Sequence, residues 1–141
     1  MYPGWVDASI AGFGAALPGP GRTQQELWDG YFSTRAQSRV DERLFLGAGV
    51  RRRHTVVDPT AEDVSGWSTG QRMRRYSAEA LPLGKEAVTA ALGDAGLDPG
   101  DVGLFAVATC TGYATPGLDI RVAADLGMAP DVQRLLVGHM G

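Results

Sequence analysis

The chain has 141 residues, 44% of them apolar and 21% charged, and its thirteen Lys and Arg against sixteen Asp and Glu leave a net charge of −3. That balance fits a soluble globular chain able to build a core and disfavours a nucleic-acid partner. No apolar run approaches the roughly 20 residues needed to cross a bilayer, and no basic, apolar leader opens the sequence.

One cysteine, Cys110, cannot form an internal disulfide, and with two distant histidines it makes no metal site. A cytoplasmic protein is therefore expected. Twenty glycines and eight prolines fall between periodic segments, which predicts tight connections rather than disorder.

Residues 6–17, mostly small residues, read as a strand broken by Pro18-Gly19-Pro20-Gly21. Gly12 and Gly14 within it predict a bulge or a close backbone approach. Thr23-Gln-Gln-Glu26 has the form of a capping box, and Leu27, Trp28, Tyr31 and Phe32 follow at helical spacing. A second helix is predicted over 37–46, stopped by Gly47 and Gly49.

Arg51, Arg52 and Arg53 come next, followed by His54. Three consecutive arginines cannot all face one way, so one reading leaves them solvated. The other makes them a phosphate contact, because guanidinium forks match phosphate oxygens. His54 reads as structural, since its arginine neighbours disfavour its charged form. Arg72, Arg74 and Arg75 fall on a helix predicted to begin near Ser68 and read as its solvated face.

Leu83, Ala87, Val88, Ala91, Leu92 and Ala95 share one helical face, framed by Pro82 and Gly96. Small Ala87 and Ala91 predict a close approach to the strand that follows. Asp98-Pro-Gly-Asp101 turns the chain into that strand, 103–108. Its apolar run ends in Thr109, Cys110 and Thr111, and Gly112 and Pro116-Gly117 bend the chain afterwards. Such a stretch is either a strand with a turn or the floor of a pocket, for ligands of α/β sheets sit beyond the carboxyl ends of strands.

Leu118, Val122, Ala123 and Leu126 mark another helix, ended by Gly127. Residues 131–137 read as a strand, and Leu135-Leu-Val137 without polar alternation predicts that both its faces are covered. Strand–helix–strand–helix–strand is an α/β order with parallel pairing. The last strand runs into Gly138-His-Met-Gly141, like an elbow that delivers a residue to a following helix. Residues 1–141 are expected to be incomplete as a functional unit.

Several stretches together resemble the type III polyketide synthases of the thiolase superfamily, the family of chalcone synthase. They are Leu-Gly-Lys-Glu-Ala at 83–87, Cys-Thr-Gly at 110–112 with Pro-Gly-Leu-Asp at 116–119, and Leu126-Gly127, Pro130, Val132 and Arg134. Gly49-Val50-Arg51 also resembles a segment of ketoacyl-carrier-protein synthase III, a cousin on the same fold.

The resemblance implies an α/β, thiolase-like fold of αβαβα layers, of which residues 1–141 are an incomplete N-terminal domain within the first half. It implies an acyltransferase that condenses a starter acyl group with malonyl-CoA units by decarboxylative Claisen chemistry. The nucleophilic cysteine is expected immediately after Gly141, with the family's His and Asn further on, so this stretch alone would be inactive. Cys110 and Thr111 would then line the substrate pocket with Gly141. Thr115 would reach across a homodimer interface into the partner's cavity. Arg43, Arg51, Arg52 and Arg53 fall where the family holds the phosphates of coenzyme A. Coenzyme A thioesters would be substrates, with no cofactor, nucleic acid or membrane partner. Two alternatives stay open: a ketoacyl-ACP synthase III or hydroxymethylglutaryl-CoA synthase relative, and a non-catalytic binding or interaction module.

Overall fold

A computed structural model describes residues 8–138; His139, Met140 and Gly141 lie outside the described residues. The chain divides into two compact units, one formed by the residues up to Ala16 with those from Met73 onward, the other by Leu17–Arg72.

In the 17–72 unit, β1 (Arg22–Thr23) pairs antiparallel with β2 (Arg52–Arg53). Helix α1 (Gln24–Leu27) starts at the expected capping box: Glu26 N donates to Thr23 Oγ1, and Thr23 N donates to Glu26 Oε2. The chain continues as a π-helical turn, Trp28–Phe32, and then α2 (Arg39–Leu46), which Gly47 closes. Leu27 and Trp28 are buried. Phe45 of α2 lies against Trp28 and Phe32, with ring centroids 5.7 and 4.6 Å away, so the helical spacing seen in the sequence does supply an apolar face.

Helix α3 (Thr69–Ala95) corrects the reading of two helices divided at Pro82. It opens at Ser68, whose Oγ accepts from Gln71 N, and runs through Pro82 without ending. The missing proline N–H removes one bond from the ladder, and the remaining turns carry the helix past it.

Residues 8–16 are not a strand, as the small-residue pattern had suggested. They form an extended ribbon lying on α3, with no ladder partner among the described residues. A Cβ at Gly12 would stand 2.7 Å from the Ala91 carbonyl oxygen, and one at Gly14 would collide with the Ala87 carbonyl oxygen. The expected close approach therefore exists, but to a helix. The ribbon comes against the main chain of α3 at Ala87 and Ala91. Phe13 N donates to Asp94 Oδ2 at 2.9 Å, fixing the ribbon's register.

Strand β3 (Leu104–Thr109) pairs parallel with β4 (Gln133–Gly138), and α4 (Leu118–Leu126) is the crossover between them. Gly127 ends α4 at φ 72°, where Met128 N donates to the Ala123 carbonyl. The core gathers Ala123, Met128 and Val132 with Val88, Val102, Phe105 and Leu126, and Val122 is 1% exposed. One face of the sheet, carrying Phe105, thus meets α3 and α4.

The other face is open. Leu104 and, on β4, Leu135 and Val137 are exposed, and Leu136 on the packed side is 41% exposed. The expectation that β4 is covered on both faces is not met among the described residues, because the helices lie on one side only.

Candidate functional site

The segment after β3 is built by three neighbours. Strand β3 delivers Thr109, and the register on β4 sets Thr109 opposite Gly138, so both strands end together. Helix α3 presents Met73, Tyr76 and Ser77 on one face, as i, i+3 and i+4 positions do. Tyr76 Oη donates to Thr109 Oγ1 at 2.9 Å, Tyr113 N donates to Met73 Sδ at 3.4 Å, and Arg121 Nη1 of α4 donates to the Ser77 carbonyl at 3.5 Å.

Gly112 is buried on the ring of Tyr76, where a Cβ would stand 2.5 Å from Cγ. Gly is required here by close approach, not by its backbone angles. Cys110, Thr111 and Thr115 are exposed around it. Cys110 stands at the end of its strand as expected, with Thr111 beside it. Gly141 lies outside the described residues.

Two further motif residues have structural work. Asp119 in the first turn of α4 is 6% exposed, and Arg134 Nε of β4 lies 3.7 Å from its Oδ2. A Cβ at Gly117 would meet Asp119 Oδ1 and Leu136 Cδ2. The Pro-Gly-Leu-Asp and Val-x-Arg stretches therefore meet in space, joining the loop to β4.

The arginines belong to the 17–72 unit. Arg43 is exposed in the last turn of α2, and Arg51 is exposed before β2. Arg52 Nη1 donates to the Pro20 and Gly21 carbonyls at 3.1 and 2.9 Å. Arg53 Nε donates to Gln24 Oε1 at 2.8 Å, and its guanidinium lies 5.7 Å over the Phe45 ring. Gln24, itself buried, also donates through Nε2 to the Phe45 carbonyl. Arg52 and Arg53 thus spend part of their bonding on the fold, though a guanidinium has more N–H groups than these bonds use.

His54 Nδ1 lies 3.0 Å from the Gly19 carbonyl oxygen, in keeping with a structural role. Arg72 is not simply solvated: its Nη2 donates to the Val64 carbonyl at 2.9 Å. Arg75 pairs with Glu79 one helical turn on. Within the 17–72 unit, Asp58 accepts from Thr60 and Arg22, which holds its carboxyl below the usual range, and its bond and charge push the Arg22 guanidinium up.

A hollow of about 320 Å³ in the same unit is lined by Trp28, Phe32, Arg35, Asp41 and Phe45. Its polar groups serve the chain: Asp41 Oδ2 accepts from the Gln37 and Ser38 amides, and Arg35 stacks 3.7 Å over Tyr31. Among the described residues no group of acidic, His or Cys side chains could hold a metal, and no helix is long and apolar enough to cross a membrane.

Sequence reasoning singled out Cys110, Thr111 and Thr115 but missed Tyr76 and the Asp119–Arg134 contact.

An α/β segment with a parallel pair ending at a loop of small polar residues is part of a thiolase-like fold, and known proteins bear this out. The C-terminal type III polyketide synthase domain of Steely1, a type I/III hybrid from Dictyostelium, superposes with a TM-score of 0.80 at 25% identity, over 93% of this chain and 39% of that one. A fungal type III polyketide synthase aligns at TM-score 0.75 and 22% identity over 92% of this chain and 36% of its own, which speaks to the fold alone. The 1,3,6,8-tetrahydroxynaphthalene synthase of Streptomyces peucetius subsp. caesius is 34% identical over 137 residues, 94% of this chain and 36% of that protein. The 3,5-dihydroxyphenylacetyl-CoA synthase of Streptomyces toyocaensis is 30% identical over 94% of this chain and 34% of its own. No protein-family model matches the chain. The chain is a homologue of the type III polyketide synthases and spans about a third of their length.

Proposed function

We propose that the protein as a whole is an acyl-CoA-dependent type III polyketide synthase, and that residues 104–119 form one wall of its condensing pocket. The observation that carries this reading is the register of β3 on β4. Gly138 lies opposite Thr109, so a nucleophile delivered by the chain beyond β4 would emerge beside Cys110 and Thr111.

The chemistry asks for a cysteine thiolate that attacks the starter thioester and releases coenzyme A. Malonyl-CoA then loses CO2, and the resulting enolate attacks the acyl-enzyme carbonyl, expelling the cysteine sulfur. The nucleophile, with its His and Asn partners, is proposed to lie beyond Gly141, so that this stretch supplies wall and substrate contacts and is inactive alone. Cys110 and Thr111 would line the pocket together with Gly141. Thr115 would reach the cavity of a homodimeric partner. Arg43 and Arg51, helped by Arg52 and Arg53, would meet the phosphates of coenzyme A. Acyl-CoA starter and malonyl-CoA are the proposed substrates, no separate cofactor is required, and the cytoplasm is the proposed site of action.

The test is to incubate the protein, at the length its gene encodes, with acyl-CoA starters and labelled malonyl-CoA. Polyketide products with CO2 release are expected. Cys110→Ser should change product pattern or rate while a covalent acyl-enzyme persists in intact-mass spectra. Loss of the acyl-enzyme in that variant would make Cys110 the nucleophile and overturn the assignment.

A further inference from the structure

The segment 110–113 has no ladder bonds of its own, so something else must fix its shape. On this side the fixing contacts come from one turn of α3. Tyr76 contributes two of them: its hydroxyl bonds Thr109 Oγ1 at 2.9 Å, and its ring fills the place where a side chain at position 112 would stand. Met73 adds the contact to Tyr113 N at 3.4 Å. Thr109 and Gly112 bracket Cys110 and Thr111, whose side chains are exposed. Tyr76 therefore touches both ends of the two-residue step without occupying it.

We propose that Tyr76 is a positioning residue for the pocket wall, holding Cys110 and Thr111 in place through Thr109 and Gly112 and so helping to set which product the pocket releases. This rests on the polyketide synthase reading above. Two interactions of different kinds act on the same step. The hydrogen bond fixes the strand end, and the ring contact fixes the height of the turn. A loss of either lets the wall shift while the acyl-loading chemistry, which lies elsewhere, continues. Phenylalanine at position 76 removes the first and keeps the second. Alanine at position 112 attacks the second directly, since its Cβ would stand 2.5 Å from Tyr76 Cγ.

The experiment compares the wild-type protein at its encoded length with Tyr76→Phe and Gly112→Ala. Three readouts are taken: product distribution by chromatography with mass detection, the rate of acyl-enzyme formation, and amide hydrogen exchange. For Tyr76→Phe, exchange at 109–113 should rise about two- to tenfold, the range set by loss of one neutral hydrogen bond. The product distribution should shift while acyl loading stays within about twofold of wild type on the same scale. Gly112→Ala should shift the products as well. Unchanged products in both variants, from a wild-type protein that works, would overturn the positioning role alone. A wild-type protein that makes no polyketide sinks the functional reading, and the positioning role falls with it. Loss of acyl loading in Tyr76→Phe would also refute the proposal, since it would put Tyr76 in the covalent chemistry.

Discussion

Residues 17–72 bury Leu27, Trp28 and the polar Gln24 among elements that are close sequence neighbours, whereas the two-stranded sheet of the other unit leaves Leu104, Leu135 and Val137 exposed. In the first, an aromatic cluster closes over a few turns of chain, and Gln24 satisfies its amide through Phe45 and Arg53. In the second, helices cover one face of the sheet and nothing among the described residues covers the other. Apolar composition is shared by both units, so composition does not decide which residues are buried. Cover does, and it depends on how many layers a segment can reach.

The strongest way to break this comparison is to remove its best-buried aromatic. Trp28→Ala should cost about 3–5 kcal/mol, the usual range for emptying an aromatic core site, read as a lower urea midpoint. A cost below about 1 kcal/mol would mean that the 17–72 unit does not depend on its aromatic cluster. Next comes Gly14→Ala, whose methyl group would strike the Ala87 carbonyl. A loss of about 1–3 kcal/mol is expected, as for other overpacked contacts. An unchanged midpoint would detach the ribbon from α3.

A smaller, pH-dependent effect belongs to Asp58. Its carboxyl sits below the usual range because Thr60 and Arg22 donate to it. The stability it contributes is thus fully present above the ordinary carboxylate value, about 4, and is lost as the pH falls through the lowered value. Asp58→Asn should lower stability at neutral pH and flatten the acid limb of stability against pH. An identical acid limb would show that the Arg22–Asp58 pair forms no linkage. The smallest effect sharpens the contrast directly. Leu135→Ser, on the open face, should change stability by no more than about 0.5 kcal/mol, as exposed sites do. A larger loss would show that this face is covered in solution.

What could be read from the sequence follows the same division. Short-range rules worked where the answer lies within a few residues: the Thr23–Glu26 capping box, the Gly47 and Gly127 stops, the Asp98–Asp101 turn, and the strand expected at 103–108 and found at Leu104–Thr109. They failed where partners are distant. Residues 8–16 have a strand's composition but no strand to pair with, and Pro82 looked like a boundary because its missing N–H is a local signal that the surrounding helix overrides. The strand end at Cys110 and Thr111 was visible from their abrupt change of character after an apolar run. Tyr76 was not, since nothing in Arg-Arg-Tyr-Ser reveals a contact with Thr109, 33 positions away. Nor could spacing alone show that Asp119 and Arg134, on different elements, would meet.

The ribbon's hold on α3 also orders events in time. The Phe13–Asp94 bond joins residues 81 positions apart, so the ribbon has no docking surface until the end of α3 has been synthesised. At roughly 5–20 residues per second, its glycines wait several seconds beside the ribosome before their seat exists. During that interval Ile10, Phe13 and Leu17, all exposed even in the folded chain, are available to chaperones. Docking across so long a loop also costs closure entropy, though only slowly more as the loop lengthens.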